Sequence, residues 1–133
     1  MSNDNKILNE RWIEAFNDRR WGDEAACRAV GFVAHMSGAP GPLDNAGWAE
    51  FMGGFTGAFP DARISIESTV AEDDLVACRW TIAGTHRGEF QGAAPTGRPI
   101  RFDGIDLSRV VDGKIAEHWA QFDLVGLMNQ IQA

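Results

Sequence analysis

The sequence predicts an α+β fold in which helices lie on one side of a mainly antiparallel sheet. Three observations predict it. Apolar residues recur at helical spacing in the first 60 or so positions, the period switches to two from Arg63 onward, and Asp112-Gly113 joins two long alternating runs near the C-terminus. Helices gathered at one end of the chain and strands at the other is the pattern of a segregated α+β domain.

Residues 4–18 form the first helix, because Leu8, Trp12, Ala15 and Phe16 repeat at helical spacing among polar residues. A shorter helix is predicted over 23–30 with Gly31 as its stop, and Phe32 to Met36 then leads into the irregular Ser37-Gly-Ala-Pro-Gly-Pro42 loop. Asp44 is the N-cap of a third helix whose Trp48, Phe51, Met52, Phe55 and Phe59 form one aromatic stripe, and Pro60 ends it. That stripe packs on a sheet, and its rings are also placed to wall a cavity.

Strand signals follow. Arg63 to Ala71 alternates, Glu72-Asp73-Asp74 turns, and Leu75 to His86 is a long strand whose Val76, Cys78, Trp80, Ile82, Gly84 and His86 share an inward face by parity. Residues 87–98 are a Gly/Pro-rich loop carrying Phe90. The hairpin over 99–123 comes next, and Leu124, Leu127, Met128 and Ile131 mark a closing helix with Asp123 at its N-cap. The expected order is three helices, four meandering strands and a last helix.

With 133 residues the chain fits a single domain, 1–133. Twelve Lys and Arg against 19 Asp and Glu give a formal charge of −7, and no basic run is present, which argues against nucleic acid and anionic membrane as partners. The N-terminus has neither a basic start nor an apolar core of a signal peptide, so a soluble cytoplasmic protein is expected. Cys27 and Cys78 fit neither a metal motif nor a disulfide framework and read as free thiols.

Two registers fit the Asp112-Gly113 turn. A two-residue turn sets Val111 opposite Lys114. A three-residue loop with Gly113 in the left-handed position pairs Val111 with Ile115, Arg109 with Glu117, Ser108 with His118, Leu107 with Trp119 and Asp106 with Ala120. The second register matches apolar with apolar and cation with anion, and is preferred. It puts Ile105, Leu107, Val111, Ile115 and Trp119 on one face. Phe102, Asp106, Ser108, Val110, His118, Ala120 and Phe122 fall on the other, which has the character of a site lining.

A carboxyl and an imidazole on one walled face suit proton transfer, because burial raises the pKa of an Asp toward neutrality. Asp106 and His118 are therefore the candidate catalytic pair; the alternative is that they only satisfy each other or Ser108. His35 and His86 are placed to bind polar ends of a ligand. Trp80, Phe51, Phe55 and Phe102 supply its apolar wall. Three dispersed histidines do not make a metal site.

Several motifs in order, Ala58-Phe-Pro-Asp61, Gly84-Thr-His86, Gly88-Glu-Phe90, Ala94-Pro-Thr-Gly97-Arg98 and Arg109-Val-Val-Asp-Gly-Lys-Ile-Ala-Glu-His-Trp119, followed by Asp123 and Gly126-Leu127, resemble the SnoaL-like polyketide cyclases and ester cyclases of the nuclear transport factor 2-like superfamily. The resemblance covers nearly the whole chain. It implies a cone-shaped fold enclosing a pocket, ring closure by intramolecular aldol chemistry without cofactor or metal, and a homodimer packed through the outer sheet face. It also implies an acid/base Asp on the last strand and a His on the strand before it. Aligned through Asp112-Gly-Lys-Ile115, those positions hold Ala120 and Asp106. Two functions follow as expectations. One is a cofactor-independent enzyme acting on a hydrophobic carbonyl compound. The other is a non-catalytic ligand-binding or dimerisation module of the same fold, which Ala120 favours.

Overall fold

The computed structural model describes residues 2–132. Helix α1 (Ser2–Asn17) and the short α2 (Trp21–Ala26) precede strand β1 (Arg28–Met36), and α3 (Asn45–Ala58) precedes β2 (Arg63–Glu72), β3 (Leu75–Thr85), β4 (Pro99–Val111) and β5 (Lys114–Phe122). Helix α4 (Leu124–Gln132) closes the described chain. Among the described residues no helix is long and apolar enough to cross a membrane.

The sheet has five strands in the order β1-β5-β4-β3-β2. Its three sequential pairings, β2–β3, β3–β4 and β4–β5, are antiparallel as expected, but β1 was missed. Residues 28–36 are an edge strand pairing parallel with β5, with His35 opposite Trp119 and Met36 opposite Ala120. The expected helix over 23–30 stops at Ala26, and the expected lead-in at 32–36 is part of that strand. Parallel pairing needs a long crossover, here residues 37–113, so no local signal announces it.

Local chemistry accounts for the other elements. Asp44 Oδ1 accepts from Gly47 N at 2.8 Å and caps α3; Asp123 Oδ1 accepts from Gly126 N at 2.9 Å at the start of α4. Trp12, Ala15 and Phe16 of α1, Trp48 and Phe55 of α3, and Leu127 and Ile131 of α4 are buried against the inner sheet face. Val76, Cys78, Trp80 and Ile82 face inward as parity requires, and each is at most 7% exposed.

The β4–β5 hairpin combines both registers. Asp112 (φ 51°) and Gly113 (φ 73°) both adopt left-handed conformations, so the turn is the two-residue kind and Val111 faces Lys114. A bulge then follows at Ala116, because Val110 pairs with Ile115 while Arg109 pairs with Glu117. Beyond it Ser108–His118, Leu107–Trp119 and Asp106–Ala120 are partners as expected. The bulge corrects one placement: Ile115, expected on the outer face, turns inward and is 1% exposed beside Trp12, Phe32 and Trp48. Moving the irregularity from the turn into the strand reverses side-chain parity at that residue alone.

Candidate functional site

Between α1, α3 and the inner sheet face lies a cavity of about 90 Å³. The inward aromatic stripes build it. Trp12 and Phe16 come from α1, Trp48, Phe51 and Phe55 from α3, and Trp80, Phe102 and Phe122 from the sheet. Only three titratable side chains, Glu24, Asp106 and His118, line it among the described residues.

Asp106 projects inward from the middle of β4. Its Oδ2 accepts from Trp80 Nε1 at 3.0 Å, while Oδ1 is buried with no partner among the described residues. Burial pushes this carboxyl up to about 7, with the Trp80 hydrogen bond pulling weakly the other way. Gly104, two residues before it, leaves room for the Trp80 ring: a Cβ there would stand 2.5 Å from the indole. A carboxyl poised near neutrality can both take and return a proton.

His118, opposite Ser108 on β5, is 3% exposed, and its Nδ1 is 2.9 Å from Ser108 Oγ. Burial pushes its pKa down to about 3, so at neutral pH the ring is uncharged. Asp106 and His118 therefore do not form a hydrogen-bonded ion pair. They line the same cavity with separate partners, Trp80 and Ser108.

The other two histidines lie elsewhere. His35, expected at a ligand, sits on the outer sheet face: Nε2 donates to Glu117 Oε2 at 2.9 Å and the ring stacks on Trp119 with centroids 5.6 Å apart. Its placement follows from β1 being a strand, whose alternation turns Ala34 in and His35 out. His86 is fully buried as parity requires but does not line the cavity. Its Nδ1 is 3.0 Å from Thr96 Oγ1, its ring packs on Phe59, and its backbone pairs with Gly97 and Arg98 to hold the 87–98 loop. The four wall residues Trp80, Phe51, Phe55 and Phe102 all line the cavity.

A SnoaL-like polyketide cyclase model matches residues 6–131, nearly the whole chain. The chain belongs to the SnoaL-like polyketide cyclase family. It is 26% identical over 132 residues to the aklanonic acid methyl ester cyclase DauD of Streptomyces sp. strain C5, covering 93% of this chain and 79% of that one. A shorter match, 37% over 71 residues, is to the aklanonic acid methyl ester cyclase AcmA of Streptomyces galilaeus; it covers 53% of this chain and about half (49%) of that relative's length. Among solved structures, IdmH of Streptomyces antibioticus, described as a candidate polyketide cyclase, is 33% identical with a TM-score of 0.86, covering 97% of this chain and 99% of that one. AclR of Streptomyces galilaeus, described as a candidate hydroxylase, is 29% identical with a TM-score of 0.91, covering 99% and 98%.

Within this SnoaL-like chain the carboxyl reaches the cavity from β4, directly across the ladder from Ala120 on β5. Sequence reasoning missed Glu24. It lies in α2, is 5% exposed, and accepts from Trp12 Nε1 (2.7 Å) and Trp48 Nε1 (2.9 Å) while pairing with Arg28 at 3.0 Å. The only local trace is its i, i+4 spacing to Arg28, a spacing found on many solvated helices. Among the described residues no group of His, Cys, Asp and Glu is arranged to hold a metal ion. Cys27 and Cys78 are free thiols, and burial raises Cys78 to about 11.

Proposed function

We propose that this protein is a cofactor-independent enzyme that closes a ring in a hydrophobic, carbonyl-bearing polyketide ester, with Asp106 as the proton carrier. One observation carries the reading: a buried carboxyl near neutrality on the wall of an apolar cavity, one of its oxygens without a partner among the described residues. Ionised Asp106 takes the proton from a carbon beside a substrate carbonyl, and the C–H electron pair becomes an enolate. The enolate carbon attacks a second carbonyl of the same molecule, forming the ring C–C bond. The resulting alkoxide takes the proton back from Asp106, so nothing is consumed. In this scheme the Ser108 hydroxyl, 2.9 Å from Nδ1, donates to it, which puts the hydrogen of neutral His118 on Nε2 as a donor for the enolate oxygen.

The names of the AcmA and DauD matches supply the substrate to try first, aklanonic acid methyl ester. Asp106→Asn is expected to lower turnover about 10²- to 10⁴-fold with the fold intact by circular dichroism. Unchanged turnover in a folded Asp106→Asn protein overturns the assignment. The competing reading, a ligand-binding module, is favoured by Ala120 at the family's acid/base position; saturable binding by the wild type with no turnover would establish it.

On the outer face, Val70, Leu75, Ile105 and Val111 are exposed hydrophobics on neighbouring strands. We propose that a second copy covers this face in a cytoplasmic homodimer. Sedimentation at micromolar concentration tests it, and a monomer there excludes it.

A further inference from the structure

The cavity lining contains a buried charge that the proton-transfer scheme does not use. Glu24 and Arg28 have side chains only 7% and 5% exposed, a costly placement unless every charge is compensated. Arg28 Nη1 reaches both Glu24 oxygens at 3.0 and 3.1 Å. Glu24 Oε2 also receives both indole N–H groups, so one oxygen ties α1 and α3 together through Trp12 and Trp48. A neutral residue offers no oxygen that would hold two indoles and a guanidinium equally well.

Those two indoles are the rings that confine His118. They stack on each other at 5.3 Å, and each meets the imidazole nearly at right angles, with centroids 4.9 and 5.5 Å away. Swapping Nδ1 and Nε2 requires the imidazole to rotate within this aromatic corner. We propose that Glu24 is a positioning residue for His118, acting through Trp12 and Trp48 to keep Nδ1 on Ser108 and the other nitrogen free for a ligand. This rests on the role given to His118 above, but its primary readout does not depend on turnover.

The experiment is nitrogen-detected NMR of the His118 ring in wild type, Glu24→Gln and Glu24→Asp, with turnover of aklanonic acid methyl ester measured alongside. Glu24→Asp keeps a carboxylate for Arg28 and leaves both indoles in place while drawing the oxygen back from them, and decides the matter if Glu24→Gln does not fold. Wild type should show one neutral tautomer. Both variants should show a tautomer mixture or exchange broadening, with kcat lowered up to about a hundredfold and KM little changed. A single unchanged tautomer in the folded variants, while the indole N–H signals shift, overturns the proposal whatever kcat does. A mixed tautomer with kcat unchanged upholds the positioning role and counts against the chemistry assigned to His118.

Discussion

The two faces of the β4–β5 hairpin carry the same kinds of group in opposite circumstances. On the inner face Asp106 and His118 are enclosed by aromatic rings, and burial drives both toward neutrality, the acid up to about 7 and the base down to about 3. On the outer face Glu117 receives hydrogen bonds from His35 and from Arg109, and they hold its carboxyl below the usual range. One residue step along a strand separates these environments. Chemical potential in this protein is therefore set by which side of a pleat a group occupies.

Substitutions that break this contrast should be felt mainly from the inside. Ile115→Ala opens a void in the aromatic corner and is expected to cost about 2–5 kcal/mol, whereas Val111→Ala, outward and 43% exposed, should stay within about 0.5 kcal/mol. Urea unfolding of the two proteins measures the difference; equal losses would contradict the inward turn imposed by the Ala116 bulge. Gly104→Ala places a methyl against the Trp80 ring and 2.8 Å from the Gln121 carbonyl oxygen. A loss of about 1–3 kcal/mol is expected, together with displacement of the indole that donates to Asp106, visible as a shift of its N–H resonance.

The dependence of stability on pH sharpens the comparison. Asp106 has a folded pKa above its ordinary 3.8, so its contribution to stability is present at low pH and is lost as pH rises from about 4 toward 7. His118 has a folded pKa below its ordinary 6.5, so its contribution is lost as pH falls from 6.5 toward 3. The two slopes oppose each other between about pH 4 and 6.5. Asp106→Asn should leave the rising slope, and His118→Phe the falling one, in urea midpoints taken at half-unit intervals. Identical slopes in both variants would show that neither group is buried as described. Outer Glu117→Gln should change stability least, and less still in high salt, as expected of exposed pairs. A larger loss, appearing only above the concentration at which copies associate, would instead tie this cluster to the proposed dimer.

Much of the architecture was legible because it is written in short-range periodicity. The caps at Asp44 and Asp123, the inward parity of β3, and the cross-strand partners Ser108–His118 and Asp106–Ala120 all follow from neighbours within a turn or a pleat. The wall formed by Phe51, Phe55, Trp80 and Phe102 was legible for the same reason. What was not legible depends on partners far along the chain. Strand β1 exists by pairing with β5, and without that pairing His35 could not be seen to face outward. Glu24 becomes a cavity residue only when α1 and α3 bring their indoles to it from either side. His86 was placed inward correctly, yet it lies against the loop residue Thr96 and the ring of Phe59 and is not part of the cavity lining.

By itself, then, the sequence determined the element types, the segregation of helices from strands, the composition of the hairpin's two faces and the kinship with SnoaL-like cyclases. Periods of 3.6 and 2.0 follow from backbone geometry that every residue shares, and capping and turn chemistry act over three or four residues. Tertiary structure alone decided which histidine meets the cavity, that Asp106 is a neutral-range acid and not an exposed carboxylate, and that one buried glutamate holds two tryptophans against His118. Those are consequences of desolvation and of contacts between distant segments. A local pattern carries the identity of a side chain, but the dielectric around it and the donors within reach are created only when the chain closes.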